Sequence, residues 1–131
     1  MIWANEQAIR EIYIRPFEIA VKEGEATGVM SSFVHIGHKW SGGNPELLQN
    51  VLREEWGFDG LVSTDAVLGG FMDLNLAIRN GNELMLNPLP TSNERYLKKL
   101  FKEDPVGITT ALRERTHTIC YTLLNKTNLL N

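Results

Sequence analysis

The chain reads as an α/β fold with parallel strands, and three observations lead there. Three short apolar or β-branched runs, residues 27–33, 60–64 and 83–86, are each bounded by glycine, asparagine or proline. A stretch with helical spacing precedes every one of them, and strands separated by helices pair in parallel through crossovers. The composition, 43% apolar and 22% charged over 131 residues, suits one globular domain with a real core.

Each element has its own signal. Ile9, Ile12 and Tyr13 carry a helical stripe over residues 5–13. Pro16 fits the first turn of a second helix, with Phe17, Ala20 and Val21 on its apolar face and Gly24 at its end. Residues 27–33 form the first buried strand, and 35–44, rich in glycine and histidine, read as a loop. Asn44 caps the next helix with Pro45 at its first position; Leu47, Leu48, Val51 and Leu52 form its core stripe, and Gly57 stops it. Residues 60–64 are the second strand, and Gly69-Gly70 breaks the chain after it. Phe71, Leu74 and Ile78, closed by Gly81, describe a third helix. Residues 83–86 are the third strand, ended by Asn87-Pro88-Leu89-Pro90. Ser92 caps a helix through Phe101, and Asp104-Pro105 opens the last, with Ile108, Leu112, Ile119 and Leu123 facing the core.

Composition also excludes. A net charge of −3, with only Lys98, Lys99 and Lys102 clustered, lacks a nucleic-acid footprint. The single Cys120 rules out an internal disulfide, and its apolar helical setting predicts a small buried residue. No apolar run approaches the ~20 residues that span a bilayer. The polar start, Met1 to Arg10, has no signal-peptide core, so the expectation is a soluble chain in the cytoplasm. The sequon Asn125-Lys126-Thr127 is too common a match to use.

Asp65 is the sharpest candidate for chemistry. It directly follows Gly60-Leu61-Val62-Ser63-Thr64, at the carboxyl end of a strand, where parallel α/β folds bind their ligands. The plain alternative is an aspartate that starts a loop and caps the next turn, and the pattern leaves both open.

Three stretches resemble the second half of the barrel of family 3 glycoside hydrolases. They are Arg10-Glu11-Ile12-Tyr13-Ile14-Arg15-Pro16-Phe17-Glu18, Val29-Met30-Ser31-Ser32-Phe33 and Leu52-Arg53-Glu54-Glu55-Trp56-Gly57-Phe58-Asp59-Gly60. The last runs into Leu61-Val62-Ser63-Thr64-Asp65, where that family has a strand ending in Ser/Thr-Asp. The likeness covers residues 5–90 and continues more weakly beyond.

That resemblance implies a single partial (β/α)8 domain over residues 1–131, built of three consecutive βα units. It implies retaining, β-glucosidase-like hydrolysis with Asp65 as nucleophile and no metal or organic cofactor. A retaining enzyme needs an ionised carboxylate on one face of the sugar and an acid about 5–5.5 Å away on the other. Phe33 matches an aromatic position lining the sugar subsite and Met30 a pocket-side position; for both, core packing is the alternative. Ala66 stands where the family has Trp, and Val34, Gly37 and His38 depart from its Asn and Asn-Gly pattern. The family's other sugar contacts and its acid lie in segments this chain does not contain. The partners implied are therefore a carbohydrate and the rest of the barrel with its following domain.

Among the tryptophans, Trp3, Trp40 and Trp56, only Trp40 lies in a loop on the ligand side, where it is expected to stack on sugar. His35 and His38, three apart, lack a third metal ligand nearby. Glu54 and Glu55 fall at the solvated end of a helix, Asp59 turns with Gly60, and Glu83 begins a strand, at the end away from chemistry. Two other functions compete. A non-catalytic remnant would self-associate through its sheet edges and through inward side chains such as Val29, Leu61, Val62, Leu84 and Leu86. A phospho-acceptor domain would need an acidic pair ending the 27–33 strand, and none stands there.

Overall fold

The computed structural model describes residues 3–67, 70–88 and 90–126. Gly69 of the expected chain break, Leu89 before Pro90 and Thr127 of the sequon lie outside the described residues.

The chain enters through α1 (Glu6–Ala8), where Asn5 Oδ1 accepts from Ala8 N at 2.8 Å. It continues without a break as a π-helix, Ile9–Tyr13, in which Ile14 N donates to Ile9 O at 2.9 Å. α2 (Arg15–Lys22) follows with Pro16 in its first turn. A second π-helix, Glu46–Glu55, begins where Asn44 Oδ1 accepts from Glu46 N at 3.1 Å. Both wider helices were expected as α-helices. Apolar residues three and four apart mark a buried face without distinguishing the two windings.

β1 (Gly28–Met30) pairs in parallel with β4 (Leu61–Ser63), Val29 opposite Val62. On the other side of β4, Ser63 bridges Leu84, also in parallel. β4 is therefore the middle of three parallel segments. The third was expected to be a strand over 83–86, yet it is reduced to that one bridge. Its partner amide on β4, Val62 N, is taken at 2.6 Å by the Glu83 carboxylate instead of by a backbone carbonyl.

Between β1 and the second π-helix lies a feature that had read as plain loop. β2 (His35–Ile36) and β3 (Lys39–Trp40) form an antiparallel hairpin around Gly37-His38, with Gly37 at φ +60°. A 3₁₀ turn, Ser41–Gly43, follows. Two-residue strands are too short to show an alternating pattern.

α3 (Leu74–Arg79) is shorter than expected; Asp73 caps it and Phe71 precedes it. α4 (Pro90–Glu103) starts ahead of Ser92, which lies inside the helix instead of capping it. α5 (Pro105–Asn125) opens as expected, with Asp104 Oδ1 accepting from Gly107 N at 2.9 Å. Cys120 is exposed on α5, not buried, because the helix turns that face away from the core. No helix among the described residues is long and apolar enough to cross a membrane.

The helices cover one face of the sheet. Leu48, Leu52 and Phe58 pack on Val62 and Val29, while Leu74, Ile78, Leu100 and Ile108 pack with Met85. Alternation along the strands then turns Met30, Leu61, Ser63, Leu84 and Leu86 to the opposite, open face. Val29 and Val62 therefore belong to the helix side, contrary to the expectation that placed them with Leu61, Leu84 and Leu86. Adjacent residues of a strand cannot share a face.

Candidate functional site

The carboxyl end of the parallel segments is assembled from backbone hydrogen bonds. Ser31 N donates to Ser63 O at 2.8 Å, and Asp65 N donates to Ser31 O at 3.1 Å. On the far side, Thr64 N donates to Leu84 O at 2.8 Å, and Leu86 N donates to Thr64 Oγ1 at 2.9 Å. Asp65 thus stands two residues beyond β4, between two neighbours, with the parity of Leu61 and Ser63 and hence toward the open face. Its carboxylate is half-buried, and Oδ1 accepts from Ala66 N at 2.6 Å.

The residues expected around it divide. Met30 pairs with Ser63 and is 59% exposed on the same open face. Phe33 is 39% exposed and lies two residues past the Ser31 carbonyl that holds the Asp65 amide, a backbone reach of about 7 Å. Trp40 is different. At 3% exposure it offers no ring face to a sugar, and its Nε1 donates to Ser32 O at 2.8 Å. The indole packs with Met72 and Ala77 and braces the loop that carries Phe33. An amphipathic residue in a glycine-rich loop reads equally as platform or prop; packing makes it a prop.

Several contributors carried no local signal. Ser31, buried, receives a hydrogen bond from Asn82 Nδ2 at 3.0 Å, and Ser41 Oγ donates to Ser32 O at 2.9 Å. Ser31 and Ser32 sit in a stretch that resembles the family and Ser41 does not, and only the fold gives all three their partners. His35 packs its ring on Phe71, centroids 5.3 Å apart, so the loops after β1 and β4 touch. Among the described residues no three His, Cys, Asp or Glu groups converge as metal ligands.

An apolar groove runs beside this end, lined by Tyr13, Phe17, Met30, Ser32, Leu48 and Trp56 among others; Asp65 is not among its lining residues.

Charge is concentrated at the opposite end of the strands. The Glu83 side chain is fully buried and accepts from Arg53 Nη2 at 2.9 and 3.0 Å and from Val62 N; Arg115 Nη1 approaches to 3.6 Å. Burial pushes the Glu83 carboxyl up and the Arg53 guanidinium down, against their mutual attraction. At the surface, Glu55 is more than solvated. Arg10 grips it with Nη1 at 2.6 Å and Nη2 at 2.9 Å, holding the Glu55 carboxyl below its usual range. Asp59 is likewise held low, by Lys126 at 2.9 Å first and also by Tyr121.

Residues 2–86 match the family described as Glycosyl hydrolase family 3 N terminal domain. A β-glucosidase of Rhizobium radiobacter is 51% identical over 61 residues, 47% of this chain and 8% of that protein. β-Glucosidase B of Emericella nidulans is 42% identical over 87 residues, 66% of this chain and 10% of that protein. Among solved structures, β-glucosidase 3B from Thermotoga neapolitana in complex with glucose superposes with a TM-score of 0.82 at 34% identity. That superposition covers 94% of this chain and 18% of the other. The chain thus spans a small part of every relative named here.

Proposed function

The chain belongs to glycosyl hydrolase family 3, and from that membership we propose that it supplies three βα units of a (β/α)8 barrel in a retaining β-glucosidase-like enzyme, with Asp65 as nucleophile. The observation that carries this reading is the placement of Asp65 just beyond the middle parallel segment, on the open face, with Met30 and Phe33 beside the same sheet end. In a barrel this is the end that holds chemistry.

In the reaction, an Asp65 oxygen attacks the anomeric carbon and forms a glycosyl ester while the glycosidic bond breaks. The departing oxygen takes a proton from an acid on the other face of the sugar. The conjugate base of that acid takes a proton from water, whose oxygen adds at the anomeric carbon; the ester opens, and Asp65 returns as a carboxylate. Phe33 and Met30 line the sugar position, and Trp40 holds the loop behind them. The acid comes from outside this chain. General acid assistance contributes about 10²–10⁴-fold, so the chain alone turns over unactivated disaccharides poorly.

A second reading, a non-catalytic piece that self-associates, draws on one observation: Met30, Leu84 and Leu86 stand exposed on the open sheet face.

The deciding experiment removes the need for an acid. A glucosyl fluoride carrying a second fluorine beside the anomeric centre has a leaving group that departs unprotonated, and its ester hydrolyses slowly. Peptide mass spectrometry after incubation is expected to find the sugar on the peptide containing Asp65 and none in Asp65→Asn. Label on another residue, or label that survives Asp65→Asn, refutes the nucleophile; no label on folded chain favours the second reading.

A further inference from the structure

Asn82 follows α3 and is 3% exposed, yet its amide serves distant segments. Nδ2 donates to Ser31 Oγ at 3.0 Å and to Gly42 O at 3.2 Å, bridging the end of β1 and the 3₁₀ turn. A carbonyl only accepts, so the Gly42 contact fixes which end of the amide faces it. Oδ1 then points the other way, buried and without a hydrogen-bond partner among the described residues. The donating end of the amide joins two segments of the fold.

Ser31 is the residue from which Asp65 hangs, since its carbonyl accepts the Asp65 N–H and its own N–H is fixed to Ser63 O. Gly42 closes against it so tightly that a Cβ there would lie 2.7 Å from Ser31 Oγ and would clash with the Trp40 indole. The next carbonyl, Ser32 O, is held by Trp40 and Ser41, and Phe33 follows.

We propose that Asn82 is a positioning residue for Asp65. By clamping Ser31 to Gly42 it fixes the backbone that carries the Asp65 amide, and so the height at which the carboxylate stands above the sheet. It touches neither sugar nor carboxylate and acts through Ser31. Its catalytic consequence rests on Asp65 being the nucleophile; its structural action does not.

Two measurements on the intact chain test it: solvent exchange of the Asp65 amide proton by NMR, and the rate of fluorosugar labelling. In Asn82→Ala the Asp65 amide is expected to exchange roughly tenfold faster while the Ile108 amide is unchanged. Labelling slows by roughly the same factor. Ser31→Ala produces both effects, and the double variant is no worse than either single one, because both break the same link. Asn80→Ala is the control. It removes a comparable donor, to Gly43 O at 2.8 Å, that does not reach Ser31, and both rates stay at wild-type values.

The proposal is overturned if Asn82→Ala behaves like Asn80→Ala, or if the Asn82 and Ser31 effects multiply. If Asn82→Ala fails to fold, Ser31→Ala alone decides: an unchanged Asp65 amide refutes the clamp. Should wild type fail to label, the nucleophile reading falls, and amide exchange still decides whether Asn82 holds the Asp65 backbone.

Discussion

Replacing Glu83 by leucine should destabilise the fold far more than an ordinary surface change. The carboxylate is fully buried, and the side chains of Arg53 and Arg115 around it are only 17% and 11% exposed. Leucine fills the volume but leaves Arg53 without its counter-charge, Arg115 with only the exposed Glu114 at 3.3 Å, and Val62 N–H without an acceptor. Removing one partner of a buried ion pair costs about 3–5 kcal/mol. With the Val62 amide included, and some water still reaching the arginines, about 4 kcal/mol is expected. Against a total stability of about 5–15 kcal/mol, that is a large part of the fold. Urea unfolding followed by circular dichroism reads it as a lower midpoint at unchanged slope. The companion variant Arg53→Met with Glu83→Leu should recover about half of the loss. Burial opposes both charges, so removing them together also removes their desolvation. Recovery stays partial because Arg53 also donates to Gly60 O at 3.1 Å. A Glu83→Leu variant within about 1 kcal/mol of wild type, or a double variant less stable than the single one, refutes this account of the cluster.

Two further outcomes follow from the same structure. The Gly107 amide first, and Arg79 at 2.6 Å second, hold the Asp104 carboxyl below its usual range. A depressed carboxyl stabilises the fold above its unfolded value, about pH 4, and loses that contribution as pH falls through the lower folded value. Asp104→Asn should therefore flatten the acid side of the thermal midpoint against pH between about pH 5 and 2; equal slopes in the two proteins would count against it. The open face and the free edge of the sheet should also drive association, most simply as a two-fold dimer. Light scattering at micromolar concentration is expected to give twice the chain mass, and a monodisperse monomer near 14.8 kDa excludes this.

Local rules were enough for much of this protein. Pro16 in a first turn, Asn44 and Asp104 as caps, and the short apolar runs around Val29 and Val62 all act within a few residues. So does the placement of Asp65 after a strand, which needs only the strand's end. Other features depend on what comes to lie against what. Strand alternation says that Val62 and Leu61 point oppositely, yet only packing by Leu48, Leu52 and Phe58 chose Val62 for the covered side. The same holds for Trp40, a prop because Met72 and Ala77 close on it, and for Cys120, exposed because α5 turns that face outward. Long-range links were invisible in the chain alone. Asn82 reaches Ser31 across 51 residues and Arg53 reaches Glu83 across 30, with no period or motif connecting them. A hydrogen bond or ion pair forms when two groups meet in space, and no single segment records that meeting.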